Sequence, residues 1–318
     1  MSLSTVKRKI NTMLHTPRVF MKKFQSSPIF KYLPDKIALK IQYKNIFLKK
    51  LDLDNPKTFN EKLQWLKLYN RKPEYSKMVD KYEAKKYVAS IIGEEYIIPT
   101  YGVWSSFDEI DFDELPSQFV LKCTHGSGDV VVVNDKKDFD IESARQKIEK
   151  SLKTNYYKIG REWPYKNVKP RVIAEKYMED VDVSTEVKEK NTCKKGLTDY
   201  KIFCFDGEAR LMLIATDRFT SKELKFDYFD RDFNWLDFEW THIRSKSKPQ
   251  KPPMLEEMFQ LAEKLSKGFP HVRVDFYQVA DKIYFGELTF FHAGGFEYFK
   301  PEEWDYKIGS WIDLSKVK

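Results

Sequence analysis

Near the carboxyl end, two alternating apolar runs, His271 to Val279 and Lys282 to Phe291, flank a short polar turn and read as an antiparallel hairpin. Centring the turn on Asp281 sets Val272 opposite Phe290, Val274 opposite Leu288 and Phe276 opposite Gly286, an apolar face that fixes the register. The other face then carries Arg273 opposite Thr289 and Asp275 opposite Glu287. Two carboxylates with β-carbons about 5 Å apart repel unless positive charge sits between them. Either a neighbouring Lys or Arg supplies it, or a divalent cation does. With only two acids, that cation is expected to be Mg2+ shared with substrate phosphates, not an ion caged by protein.

A phosphate site is the next requirement. Lys122 lies at the end of a predicted strand, Phe119 to Cys123, and Thr124-His125-Gly126-Ser127-Gly128 follows it. Successive backbone N–H groups of such a loop can wrap phosphate oxygens while a lysine neutralises them. The plainer alternative is a solvated edge lysine beside a turn. The spacing fits neither the Walker A loop nor the dinucleotide GxGxxG fingerprint.

Taken in order, Asp80-Lys81, Phe119 to Lys122 with its Gly-Ser-Gly loop, Ala174 to Asp180, Asp199-Tyr200-Lys201, Arg273-Val274-Asp275 and Gly286 to Thr289 resemble the ATP-grasp superfamily. Thr58 to Trp65 and Leu121 to Gly128 are similar to its TupA-like branch, linked to teichuronopeptide and surface-polysaccharide biosynthesis. The resemblance implies an α+β fold that clamps ATP between two α+β subdomains. It implies that Lys81 and Lys122 contact ATP phosphates and that Gly126, Ser127 and Gly128 close over them. Glu175, Lys176, Tyr177 and Met178 would form the hinge that receives adenine, with Glu175 taking the exocyclic amine, and Asp182 would hold the ribose. Lys201 and Arg218 match basic positions near the transferred phosphate, and Arg273 matches an arginine that stabilises its transition state. Asp275 and Glu287 become Mg2+ ligands. Thr289 stands where the family's Glu-x-Asn has an amide, and a hydroxyl is the poorer ligand.

The implied reaction makes an acyl phosphate from ATP and a carboxylate, then an amide by attack of an amine. In the TupA-like branch the carboxylate would be a uronic acid or glutamyl chain and the amine an amino acid. His292 either acts on the incoming amine or packs. Trp163, Tyr165, Phe226, Tyr228, Phe229, Trp235, Phe238 and Trp240 either stack on sugar faces or form core. Two rival readings are a nucleotide-sugar glycosyltransferase, with Asp230-Arg231-Asp232 as its metal-binding string, and a noncatalytic scaffold that binds nucleotide or membrane.

These residues need elements to position them. Helical patterns run from Lys36 to Tyr69, interrupted at Asn55-Pro56, and from Met78 to Ile92, stopped at Gly93. Strands then dominate: Phe119 to Cys123, Val130 to Val133 and Arg171 to Glu175, with a helix over Glu142 to Leu152. Asp206-Gly207 predicts a tight turn between strands Asp199 to Phe205 and Glu208 to Thr216. Met254 to Lys267 is an amphipathic helix. The expected organisation is a helical basic region over 1–75, a Gly-loop subdomain over 76–170 and a metal-bearing subdomain over 171–318.

With 42% hydrophobic and 15% aromatic residues over 318 positions, the chain is no disordered tail. Its longest apolar runs, Val130 to Val133 and Leu211 to Ala215, fall far short of the roughly 20 residues that span a bilayer. Cys123, Cys193 and Cys204 are unclustered and read as buried thiols. Residues 1–50 hold twelve Lys or Arg against one acid, Asp35, a local +11, so 51–318 carry −3 of the +8 total. The pI near 9.0 thus belongs to an arm and not to a basic body, and no nucleic-acid partner is expected. Val6, Ile10, Met13, Phe20 and Phe24 give the arm an apolar stripe, either docked on the body or lying in an anionic membrane surface. Without an apolar leader block, the chain is expected in the cytoplasm, with peripheral contact at the inner membrane face.

Overall fold

The computed structural model describes residues 29–179, 197–216, 224–240 and 242–317. Asp182, Cys193, Arg218 and the amphipathic stripe of the arm lie outside them. Four helices come first: α1 (Asp35–Phe47), α2 (Phe59–Tyr69), α3 (Tyr75–Val79) and α4 (Glu83–Ile92). Thr58 starts α2 with a capping box, its hydroxyl accepting the Glu61 N–H while the Glu61 carboxylate accepts the Thr58 N–H. The single helix expected over Met78 to Ile92 is instead two. Asp80 is extended there, and its Oδ1 accepts the N–H groups of Tyr82 and Glu83 at 2.9 and 3.2 Å. A short acidic side chain satisfies orphan donors at a helix start better than it tolerates a helix interior.

The first sheet has the order β1-β4-β2-β3, with β1 Thr100–Trp104, β2 Phe119–Cys123, β3 Val131–Val133 and β4 Val172–Lys176, all antiparallel. Phe119, Leu121 and Cys123 turn one way, onto Ala144 and Ile148 of α5 (Ile141–Leu152). Val120 and Lys122 turn the other way, as period-two alternation requires. A one-turn helix, α6 (Tyr157–Gly160), leads toward β4. The expected division at residue 170 leaves β4 with the later part of the chain, yet β4 pairs with both β2 and β1 and belongs to this first sheet.

The second sheet, ordered β10-β9-β5-β6-β7, holds the largest core. Its strands are β5 (Asp199–Phe205), β6 (Glu208–Thr216) and β7 (Lys225–Phe229), then β9 (His271–Val279) and β10 (Lys282–Thr289), with the short β8 (Glu239–Trp240) between them. Asp206 and Gly207 make the β5–β6 turn with φ of 50° and 85°, the left-handed pair that suits strand twist. Helix α7 (Leu255–Ser266) buries Leu255, Met258, Phe259, Ala262 and Leu265 against the sheet. β11 (Phe299–Lys300) pairs with β8, and α8 (Glu303–Ser310) packs on α2.

Along β9 and β10 the expected pairs Asp275–Glu287, Val274–Leu288 and Arg273–Thr289 are present. Phe276 pairs with Phe285 and not with Gly286, because Gly286 is an extra, bulged residue and the turn falls on Ala280-Asp281. A Cβ at Gly286 would stand 3.1 Å from the Asp275 carbonyl oxygen, so a side chain there would push the bulge and its partner strand apart by a few tenths of an ångström.

Candidate active site

Three neighbouring strands supply one face. Asp199 and Lys201 of β5, Arg273 and Asp275 of β9, and Glu287 and Thr289 of β10 are each two apart, so each pair projects the same way, and the ladder sets Lys201 beside Asp275 and Asp275 beside Glu287. Arg273 donates from Nε and Nη2 to the two oxygens of Asp275, at 2.6 and 2.7 Å, and from Nη2 to Glu287 Oε1 at 2.7 Å. Lys201 Nζ bridges Asp275 and Asp199, and the Thr289 hydroxyl donates to Glu287 Oε1 at 3.2 Å. The positive charge between the facing acids is therefore the guanidinium of Arg273, where the hairpin pattern alone left a divalent cation as the alternative.

The field is asymmetric. Burial raises Asp275 although Arg273 and Lys201 pull it down, and it is only 1% exposed. Burial also acts to raise Glu287, but Arg273, Lys81 and Lys201 outweigh it and hold the carboxylate at about 2. The Glu287 side chain keeps 36% of its surface open. Burial opposes the charge on Arg273, and Asp275 with Glu287 more than restores it. Among the described residues no group of three or more His, Cys, Asp or Glu could hold a metal. Two acids and a hydroxyl, one acid open and one closed off, fit a hard cation shared with ligand oxygens and do not fit a protein cage. Glu287 and Thr289 are the accessible donors of that set.

His292 is 5% exposed, edge-on to Phe203 and Trp240 at 5.0 and 4.5 Å. Its Nδ1 faces Arg273 Nη1 at 2.5 Å, and burial with the nearby Arg273 and Lys201 charges drives it well below the usual histidine range. It is a neutral acceptor that orients Arg273, enclosed by packing.

On the opposite side, Lys81 at the start of α4 donates its backbone N–H to the Thr124 carbonyl at 3.0 Å and its ammonium to the Gly126 carbonyl. The loop is pinned at both ends to Ser151: His125 Nε2 meets the Ser151 carbonyl at 3.1 Å, and the Ser151 hydroxyl donates to Asp129 at 2.9 Å. Gly126, Ser127 and Gly128 span the interval beside a cavity of about 250 Å3 that Tyr156 also lines. The structure thus brings Lys81 and the loop together, and places Lys81 in the field of Glu287.

Lys122 has another partner. Its ammonium and that of Lys85 each lie 2.6 Å from the Glu175 carboxylate, which is 3% exposed. Burial would raise Glu175, but Lys122 and Lys85 lower it. The contact expected from Glu175 to an adenine amine is not available to this side chain, whose oxygens are spent on two lysines. No sequence motif marks Lys85, which reaches Glu175 from the first turn of α4. Lys176 ends β4 with its N–H on the Pro99 carbonyl at 2.9 Å, and Tyr177 and Met178 follow outside any helix or strand.

The family model described as TupA-like ATPgrasp matches residues 61–313. The chain belongs to this family. It is thereby a member of the ATP-grasp ligase superfamily, and its α+β architecture is the ATP-grasp fold. A search of curated proteins finds no match. Similar solved structures include D-alanine–D-alanine ligase from Bacillus anthracis complexed with ATP (14% identity, TM-score 0.40, 67% of this chain and 54% of that one). Another is the ATP-grasp ligase PsnB complexed with a phosphomimetic precursor variant, Mg and ADP (10%, TM-score 0.41, 80% and 65%). A third is N5-carboxyaminoimidazole ribonucleotide synthetase from Thermus thermophilus (10%, TM-score 0.35, 67% and 45%). The TupA-like chain spans about half to two thirds of these proteins.

The motif shared with the TupA-like branch at Thr58 to Trp65 also acquires a structural role. Asn60 Nδ2 donates to the Glu297 carbonyl and to Asp305, and Gln64 Nε2 donates to the Gly294 and Gly295 carbonyls at 3.0 and 2.7 Å. Buried Lys67, one turn on, donates to the Gly160 and Gly294 carbonyls at 2.8 and 2.6 Å. Together they clamp the loop that carries His292. Of the aromatic residues read as sugar platforms or core, Phe226, Tyr228, Phe229, Phe238 and Trp240 are buried core, and Tyr165 and Trp235 pack against it. Asp230 accepts the Asn234 N–H at 2.8 Å and so closes a turn after β7, while Arg231 pairs with Glu256 and Glu263. The DxD-like string is a turn. Cys123 and Cys204 are free, buried thiols, and among the described residues no helix is long and apolar enough to cross a membrane.

Proposed function

We propose that this TupA-like protein is an ATP- and Mg2+-dependent carboxylate–amine ligase. It activates a carboxylate as an acyl phosphate and yields an amide, with ADP and phosphate released. The observation that carries the reading is one sheet face that sets Lys201, Arg273, Asp275 and Glu287 together, with Arg273 reaching Glu287 at 2.7 Å and Lys81, fastened to the glycine loop, adding its field at Glu287. Several negative charges converge in phosphoryl transfer to a carboxylate, and preorganised cations stabilise them without reorganisation. Lys81, Lys122 and the backbone N–H groups of Gly126, Ser127 and Gly128 bind and neutralise the phosphates. Arg273 and Lys201, held on Asp275 and Asp199, stand ready at the transferred group, with Arg218 as a further contributor. Glu287 and Thr289 would hold Mg2+, with Asp275 joining them once its oxygens are released from Arg273 and Lys201, and the ion would supply charge neutralisation at the phosphate oxygens when bound. Lys176, Tyr177, Met178 and Asp182 take adenine and ribose, by backbone in the hinge and not through the Glu175 carboxylate.

Within this reading the substrates are a uronic acid or glutamyl chain and an amino acid, and the pathway is surface or capsular polysaccharide synthesis in the cytoplasm. The nucleotide sits between the Gly-loop unit, 76–170 extended to include β4, and the remainder to 318. The basic arm over 1–50 supplies peripheral membrane contact. The test is mass spectrometry of products after incubation with MgATP, uronates, γ-glutamyl peptides and amino acids. An amide formed with stoichiometric ADP is expected. Turnover of a UDP-sugar without ATP overturns the reading.

A further inference from the structure

The residues above account for phosphates, metal and nucleotide but leave the amine without a partner. Glu162 follows α6 by two residues and is 7% exposed. A Cβ at Gly160 would stand 2.9 Å from its Oε1, and one at Gly294 would stand 3.7 Å from the same oxygen, so the carboxylate is set against the backbone of two glycine-bearing loops. Among the described residues its side chain makes no hydrogen bond and has no cation within 4 Å. Lys67 and Arg273 are the cations whose fields reach it. The three donors of Lys67 are committed to Gln64 Oε1 and to the Gly160 and Gly294 carbonyls. Arg273 is committed to Asp275, Glu287 and His292. Glu287 adds negative charge on the same side, and the phenols of Tyr156 and Tyr165, both raised by burial and then by Glu162, complete the surroundings.

A carboxylate this enclosed, with no protein donor, no cation within 4 Å and only a narrow opening to solvent at its oxygens, is poorly compensated, and a bound cation would relieve the cost. We propose that Glu162 is the binding residue for the ammonium group of the amine substrate, beside the Arg273–Glu287 cluster. The inference rests on the ligase reading and extends it to substrate class. The negative field of Glu287, joined by Glu162 as it ionises against the bound cation, selects a primary ammonium and rejects a carboxylate or phosphate there.

The experiment separates activation from amine capture. Hydroxylamine, an uncharged nucleophile at neutral pH, traps an acyl phosphate as the hydroxamate without needing an ammonium site. Wild type and Glu162→Gln are compared with MgATP, D-glucuronate or a γ-glutamyl oligomer as carboxylate, and either hydroxylamine or an amino acid as nucleophile. Glu162→Gln should keep hydroxamate formation within about twofold and raise KM for the amino acid by about thirtyfold or more, the scale for losing one member of a buried charge pair. Glu162→Asp, which keeps the charge at a shorter reach, should fall between. An unchanged amino-acid KM overturns the inference and leaves the ligase reading standing. Absence of hydroxamate from wild type with every carboxylate removes the ligase reading and this one with it. Loss of MgATP binding in Glu162→Gln, read by tryptophan fluorescence, assigns Glu162 to the nucleotide and also overturns it. Melting of the unliganded proteins decides the structural alternative: removing an unpaired buried charge should raise the midpoint of Glu162→Gln, whereas a fall marks a structural carboxylate and overturns the proposal.

Discussion

At the scale of single residues, the site is a set of buried charges in which most acids have a named cation. Glu175 shows what that arrangement commits the chain to. Its carboxylate neutralises Lys85 and Lys122, whose side chains are 11% and 16% exposed, so removing the acid strands two lysines in a low-dielectric pocket. Glu175→Gln should lower the unfolding free energy by about 3 kcal/mol or more in urea denaturation. Adding Lys85→Met should restore part of the loss, because one stranded charge is then gone and Lys122 keeps its route to solvent. Additive losses would show that the ion pair is not the source. Arg273 supports a second prediction. Its fork serves two carboxylates and His292 at once, a geometry an ammonium cannot copy. Arg273→Lys should therefore keep the fold by circular dichroism while kcat for MgATP-dependent turnover falls by about a thousandfold, with KM for ATP changing far less.

At the scale of elements, the β9–β10 hairpin makes the site, and the Gly286 bulge decides how Glu287 is aimed. A methyl at Gly286 would meet the Asp275 carbonyl at 3.1 Å and the Asp275 Cβ at 3.4 Å, and strand backbone has little room to yield. Gly286→Ala should leave the melting midpoint within a few degrees and cut turnover by about tenfold to a hundredfold, the penalty for a small misplacement of reacting groups. Full activity would mean that the bulge does not position Glu287. This hairpin was legible in the sequence because alternation and an apolar face specify register, and so were β5, β6 and their Asp-Gly turn. The bulge was not, since one glycine in an alternating run looks like any other strand residue. The split at Asp80 escaped because side-chain capping competes locally with apolar periodicity. Glu175 falls on the nucleotide by resemblance alone; its true neighbours depend on Lys85 arriving from α4 and Lys122 from β2. Lys67 and Glu162 had no sequence signal as site residues, because their significance arises only when distant loops bury them together.

At the scale of the whole molecule, buried ionisable groups give stability a two-sided dependence on pH. Burial takes His271 down to about 3 and, with Arg273, takes His292 well below its ordinary value, so both stay neutral when folded. As pH falls below about 6.5 the unfolded chain gains these protons and the native chain does not, so stability is lost from there down to about 3. Glu162 and Glu297, raised by burial to about 7, and Asp305, raised by burial to about 6, act in reverse. The native chain protonates them first, and each adds stability as pH falls from its raised value toward the ordinary carboxylate range. The two sets oppose one another between about pH 6.5 and 4.5. Below about pH 4 the raised acids contribute no further change. The histidines then act together with Glu287, which at about 2 resists a proton that the unfolded chain accepts. Each proton of difference adds about 1.4 kcal/mol per pH unit to the slope. Urea unfolding from pH 8 to 3 should therefore show a shallow region above about 4.5 and a steep acid limb. His271→Gln keeps an amide donor for the Cys204 carbonyl, which His271 Nδ1 meets at 2.9 Å, and should reduce the slope of that limb by about one proton. An acid limb with the same slope in His271→Gln would show that His271 titrates as freely in the folded protein as in the unfolded chain.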